Sequence, residues 1–137
     1  NGYSLVRKVL PLDVCEKENI SIETLLEPTR IYVKDILELV NQTTVYGIAH
    51  ITGGGLAENI ERILPDTVDL NLKKSAIPSL KIFEDIQRIG QIAEAEMYKV
   101  FNMGVGMVVI VDADVTLPSD YHFLGDVAAG TGTVHLV

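Results

Sequence analysis

Residues 49–65, AHITGGGLAENIERILP, set three consecutive glycines, Gly53, Gly54 and Gly55, between an apolar run and an amphipathic one. Adjacent glycines weaken any regular element they interrupt, because glycine loses the most backbone entropy on ordering. What such a turn offers in return is bare backbone amide. At a strand-to-helix junction the first amides lack partners and carry partial positive charge, so an oxyanion such as phosphate can be held there. Thr52 adds a hydroxyl donor beside them. No Gly-Lys-Ser/Thr follows, so this is not a Walker loop, and the dinucleotide-binding glycine pattern is absent as well. Spacing alone fits a tight strand-to-helix turn equally well.

His50 adjoins the loop. Strand alternation places Tyr46, Ile48 and His50 on one face and Gly47, Ala49 and Ile51 on the other. A histidine at a strand end reads as structural, or as catalytic if the loop binds a phosphate. His122 and His135 have no partners at metal-ligand spacing, so no metal site is expected. Asn102, Gly104 and Gly106 in FNMGVGM mark a second turn, where glycine permits close packing. Glu94 and Glu96 read as a solvated helix start. No Ser/His/Asp or Cys/His arrangement can be assembled.

Composition narrows the classes. With 137 residues, 47% hydrophobic and 22% charged, the chain fits one ordered domain with a sizeable core. A net charge of −8 disfavours a nucleic-acid surface. It leaves room for a small phosphorylated ligand held locally by amides. No apolar run approaches the roughly 18–20 residues of a membrane span, and no secretory apolar region opens the chain. The single cysteine, Cys15, excludes an intrachain disulfide framework and fits a reducing, cytoplasmic setting. The chain opens inside a structured motif, NGYSLVRKVLPL, without methionine, and is expected to be a piece of a longer protein.

These residues need elements to position them. Leu5, Val6, Val9 and Leu10 predict a first short helix after an Asn-Gly turn. Residues 12–19 read as a polar connector, and SIETLLEP as a short helical turn from Ser21 closed by Pro28. Thr29 is the expected N-cap of a helix whose buried face is Val33, Ile36, Leu37 and Val40. TTVYGIAHIT reads as a strand. Leu56, Ile60, Ile63 and Leu64 form the apolar face of a helix stopped by Pro65. Val68, Leu70 and Leu72 alternate as in a half-buried strand. Ser79 is the expected cap of a helix with Ile82, Phe83, Ile86 and Ile89 on one face and Gly90 as its stop. AEAEMYKVFN predicts a further helix, and VGMVVIV a strand covered on both faces. The tail, FLGDVAAGTGTVHLV, reads as two strands joined by a Gly/Thr turn. The fold class is therefore α/β (α+β), a mixed β-sheet flanked by helices, in one domain over 1–137.

NGYSLVRKVL, LLEPTRIYVKDILELV, IAHITGGGLAENIERILPD and EMYKVFNMGVGMVVIV, in this order and covering most of residues 1–111, resemble the phosphoribosylformylglycinamidine cyclo-ligase (aminoimidazole ribonucleotide synthetase) family. The resemblance is to its C-terminal domain. It implies ATP-driven ring closure of formylglycinamidine ribonucleotide to aminoimidazole ribonucleotide in purine synthesis. ATP would activate the formyl oxygen as a phosphate ester, a nitrogen would attack, and phosphate would leave. It also implies a partner N-terminal domain outside this chain that holds most of the ATP and Mg2+ site, a homodimer for the whole enzyme, and no activity for the isolated fragment. Carried over residue by residue, Asn1, Gly2 and Ser4 resemble cleft residues. Arg30, Thr52, Gly53, Gly54 and Gly55 resemble the substrate side, with the glycines at its 5′-phosphate, and His50 is the catalytic candidate.

One stretch departs from the family. After VVIVDAD the family continues through a crossover helix before the strand matching FLGDV, whereas only VTLPSDYH intervenes here. Residues belonging between Asp112 and Leu124 are expected to be absent from the sequence, since losing that helix would bare an apolar sheet face. The alternatives are a relative in the same superfamily (formylglycinamidine ribonucleotide synthetase, thiamine monophosphate kinase, selenophosphate synthetase) or a stand-alone phosphometabolite-binding module.

Overall fold

Apolar spacing of 3–4 residues recurs before and after short β-branched runs, and the chain folds accordingly. The structure, a computed structural model, describes residues 2–78 and 80–137. The helices are α1 (Tyr3–Val9), α2 (Leu12–Lys17), α3 (Ile22–Leu26), α4 (Val33–Gln42), α5 (Gly55–Glu61), α6 (Lys81–Gly90) and α7 (Glu94–Val100). The strands are β1 (Val45–His50), β2 (Val68–Leu72), β3 (Met107–Val111), β4 (Gly125–Ala129) and β5 (Val134–Leu136). Antiparallel β1 and β3 form one ribbon, in which His50 faces Met107 and Ile48 faces Val109. A second, mixed sheet has the order β4-β2-β5, with β4 antiparallel and β5 parallel to β2. The class is α+β, with the strands divided between two small sheets.

Two apolar clusters carry the packing. Leu56 and Ile60 of α5 lie with Ala49, Ile51, Leu70, Leu72, Val108 and Val134 beneath the strands. Val6, Leu10, Cys15, Ile86, Met97 and Phe101 join α1, α2, α6 and α7. Met103 packs against both.

Several expectations are corrected. Residues 12–17 are helical, because the buried thiol of Cys15 seats α2 in the second cluster and donates to the Leu10 carbonyl at 3.4 Å. Helix α4 starts at Val33 with Tyr32, not Thr29, at its N-cap. Arg30 is held out of the helix by ion pairs to Asp35 (2.6 Å) and Asp120 (3.0 Å). Its expected buried face is largely open: Leu39 is buried, whereas Val33, Leu37 and Val40 are exposed. Gly90 belongs to α6, and the left-handed stop is Gln91 at φ 50°. The expected cap at Ser79 lies outside the described residues. Strand β3 has one hydrogen-bonded neighbour and buries only Val108 fully, so it is not covered on both faces. Residues 112–124 contain no helix, and the outward side of the ribbon leaves Tyr46 and Ile48 exposed. The two tail strands do not pair with each other; β2 lies between them.

One polar clamp was not foreseen. The Asp69 carboxylate accepts from Thr131 N (2.7 Å) and Thr133 N (2.9 Å) and faces His135 Nε2 at 3.0 Å. Gly130 lets it in, since a Cβ there would lie 2.5 Å from Asp69 Oδ2. The His135 contact, then the two amides, lower its pKa to about 2.

Two outcomes follow. Ile60→Ala, at a fully buried site, should cost about 2–5 kcal/mol in urea denaturation; Leu12→Ala, 69% exposed, should stay within about 0.5 kcal/mol. For Asp69 the folded pKa lies below the unfolded value of about 3.9. Its stabilisation is therefore complete above that value and is lost as pH falls towards about 2. Asp69→Ala should melt lower at neutral pH and lose less stability than the unaltered chain on acidification through this window, checked by thermal melts.

Candidate functional site

The glycine loop begins where the ribbon ends. Ile51 N donates to the Gly106 carbonyl at 2.9 Å, the last link before the chain turns away, and Gly55 N closes the turn on the Thr52 carbonyl at 3.1 Å. The glycines differ in what demands them. Gly55 has φ 69°, and a Cβ there would collide with the Tyr98 carbonyl oxygen and lie 2.9 Å from its carbon. Gly54 has φ 97°, and its Cβ would meet the Glu58 carboxylate carbon at 2.6 Å, a flexible neighbour. Gly53 is outside the positive-φ set and has nothing within 4 Å of a Cβ position. The fold accounts for two of the three. The amides of Gly53, Gly54 and Leu56 donate no hydrogen bond among the described residues.

Beneath the loop lies Asn59, only 6% exposed. Its Nδ2 donates to the carbonyls of Gly55 (2.7 Å), Gly53 (3.2 Å) and Thr52 (3.3 Å). Its Oδ1 accepts from Thr52 Oγ1 at 3.3 Å and Arg62 Nη1 at 3.4 Å. The Thr52 hydroxyl hydrogen is thus directed inward to Asn59 instead of outward to a ligand. Sequence reasoning missed Asn59, although the signal was present: Leu56, Asn59, Ile60 and Ile63 share one helix face, which sets an amide within the apolar stripe.

The structure gathers some of the other candidates here. Gly2 caps α1 at φ 77°, and a Cβ would strike the Phe101 ring, with Cδ1 at 2.6 Å. The carbonyl of the same Phe101 lies 3.2 Å from where a Gly55 Cβ would stand. Ser4 is exposed on α1 and makes no side-chain hydrogen bond with the described residues. Asn1 lies outside the described residues. His50 is exposed beside Tyr46 and Ile48 on the open ribbon face, and its ring has no hydrogen-bond partner among the described residues. Arg30 reaches the area through a short chain of contacts. Its guanidinium stands 5.5 Å from the Tyr32 ring, Tyr32 packs on Gly106 (Cζ 2.7 Å from a Cβ position), and Gly106 bonds Ile51.

Charge around the loop is balanced. Asp120 and then Asp35 raise the Arg30 pKa above its ordinary value, and Arg30 in turn lowers that of Asp120. Glu58, beside Gly54, is paired with Arg62. Asp112 accepts from the Tyr46 hydroxyl at 3.0 Å and raises its pKa. The described residues bring no three His, Cys, Asp or Glu side chains into a group able to hold a metal ion. No described helix is long and apolar enough to cross a membrane.

The glycines should respond unequally to alanine. Gly55→Ala should abolish folding or cost more than about 3 kcal/mol, Gly54→Ala about 1–2 kcal/mol through its left-handed backbone, and Gly53→Ala within about 0.5 kcal/mol, all read by chemical denaturation.

Residues 1–119 match the family model described as AIR synthase related protein, C-terminal domain. The chain is 46% identical over 129 residues to proteins named phosphoribosylformylglycinamidine cyclo-ligase from two strains of Desulfitobacterium hafniense, covering 90% of this chain and 37% of each relative. It is 48% identical over 121 residues to a protein of the same name from Nitrosospira multiformis, covering 81% of this chain and 33% of that relative. The chain thus spans about a third of the length of these relatives. With its glycine loop, its paired turn at Asn102–Gly106 and its helices inside that match, the chain belongs to the AIR synthase related protein C-terminal domain family.

Proposed function

We propose that the chain is the C-terminal domain of a phosphoribosylformylglycinamidine cyclo-ligase, and that residues 52–56 hold the 5′-phosphate of formylglycinamidine ribonucleotide. One observation carries the site: three amides of one turn, those of Gly53, Gly54 and Leu56, stand without partners among the described residues beside a glycine, Gly53, that the fold does not require. Amides fixed in place in a glycine turn suit an oxyanion, because they need no reorganisation when it arrives. The kinship to proteins of that name supports the substrate class.

In this reading the loop anchors the ribonucleotide and leaves its formyl and amidine groups towards the open ribbon face, where His50 moves a proton during ring closure. Thr52 serves through Asn59. Arg30 exchanges one of its carboxylates for substrate, and Gly2 and Ser4, with Asn1, border the cleft. The reaction of the whole enzyme consumes ATP. The described residues offer no carboxylate group fitting its Mg2+, so no step is assigned to either in this chain; we assign both to a preceding N-terminal domain, within a homodimeric cytoplasmic enzyme.

Two measurements test the reading. Adding ribose 5-phosphate to the 15N-labelled chain should shift the amides of Gly53, Gly54 and Leu56 and leave those of β2 in place. A chimera carrying this chain in place of the matching region of the Desulfitobacterium relative should form aminoimidazole ribonucleotide, with His50→Ala lowering kcat by about 10–1000-fold. Loop amides that ignore the phosphate, or a folded chimera without turnover, would overturn it.

A further inference from the structure

Strands β3 and β4 belong to different sheets, and residues 112–124 link them. Main-chain hydrogen bonds in this link are local: Val115 N donates to the Asp112 carbonyl at 3.2 Å, and Tyr121 N to the Pro118 carbonyl at 3.1 Å. At the far end the Leu124 carbonyl accepts from Lys73 N at 2.9 Å. Between Val115 and His122 no main-chain bond joins the link to the rest of the described residues. Its two side-chain hydrogen bonds there both reach the start of α4. Asp120 accepts from Arg30 Nη2 at 3.0 Å, and the Tyr121 hydroxyl donates to the Asp35 carbonyl at 3.5 Å. Towards the other end of α4, a cavity of about 310 Å3 lies between residues 115–118 and Leu39, Gln42 and Thr43. Close-packed interiors leave few voids larger than a water molecule, so polar ties, more than apolar contact, seat the link on α4.

We propose that residues 116–122 are a strap that opens and closes over α4, latched by the ion pair between Arg30 and Asp120. Each partner is about half exposed, and an exposed pair is screened by salt and contributes little free energy. Opening strands no charge, since Arg30 stays paired with Asp35 at 2.6 Å and Asp120 passes into water. The ends of the link stay fixed. Asp112 remains bonded to the Tyr46 hydroxyl, Leu124 remains bonded to Lys73, and the Lys73 ammonium stands 5.7 Å from the Phe123 ring. Lifting the strap uncovers Leu39, the one buried residue of α4, and frees one side of the Arg30 guanidinium. The strap thus decides when both face solvent. It does so whether or not residues 52–56 bind phosphate.

The experiment uses the whole 137-residue chain without ligand. Relaxation dispersion of amide and methyl resonances should report one exchange process, shared by residues 116–122 with Leu39, Gln42 and Thr43 and absent from β2 and α5. Asp120→Asn keeps the shape and removes the latch charge, and it should raise the open population about two- to fivefold. Chymotryptic cleavage after Tyr121 should speed up by the same factor, because cleavage of a briefly open form follows its population. Asp114→Asn, the same loss of charge beside Tyr46, should change neither. Raising salt from about 0.05 M to about 1 M should open the unaltered chain as Asp120→Asn does, and should add little to that variant. The salt series needs no variant to fold. A fixed connector would show no exchange at residues 116–122, and neither Asp120→Asn nor salt would alter its cleavage. Exchange matched in β3 and β4 would mean unfolding of the sheets instead of a strap. Either result, or an effect of Asp114→Asn equal to that of Asp120→Asn, overturns the inference.

Discussion

Backbone meets backbone where Gly55 lies against the carbonyl of Tyr98, and the rest of the molecule is arranged around that approach. No side chain fits between them, so the start of α5 and the end of α7 are held closer than two ordinary helices could be. Leu56 and Ile60, both fully buried, therefore turn into the cluster beneath the strands. Met97 and Phe101, leaving the same contact in the other direction, seal the cluster made by the helices. Phe101 then reaches Gly2, and Met103 closes the gap between the clusters. A contact between main chains transmits position without rotamer freedom, so the loop ahead of Gly55 inherits the rigidity of both clusters.

That rigidity brings polar groups inside. Folding the loop over α5 brings the carbonyls of Thr52, Gly53 and Gly55 against the buried Asn59, whose amide left unpaired there would cost about 1–3 kcal/mol. Asn59 answers them all with one side chain, and its own oxygen is occupied by Thr52 and Arg62. Among the described residues no buried side-chain nitrogen or oxygen is left without a partner. The Asp69 clamp orders a second turn, with two backbone amides and a histidine around one carboxylate. In both places a tight turn is ordered by a polar side chain that bonds several of its backbone groups. The difference lies in what remains outside. The clamp uses its amides internally, and the glycine loop leaves three of them unused.

Much of this was legible in the sequence, and for definite reasons. Periodicity identified α1, α5, α6 and β2, and turn residues, β-branched or apolar runs and early glutamates marked α3, α7 and the other strands, since all of these are local properties of the chain. The glycine run, the second turn at Asn102 and the face shared by Tyr46, Ile48 and His50 were likewise local. The resemblance carried by four stretches in order identified the family, because motif order is written in one dimension. These are what the sequence by itself determined.

Tertiary structure decided the remainder. An amphipathic pattern says that a helix has an apolar face, not that another element will cover it, and α4 keeps Val33, Leu37 and Val40 in the open. An apolar run says strand, not how many neighbours it finds, and β3 has one. Residues 12–17 look like a connector until a single buried thiol seats them. Three adjacent glycines look alike in a sequence. Only the fold separates Gly55, fixed by the Tyr98 carbonyl, from Gly54, fixed by its φ, and from Gly53, which nothing in the fold requires. Asn59 shows in the sequence only as an amide on an apolar stripe: it acquires its meaning from which carbonyls surround it, and those come from the path of the turn in space.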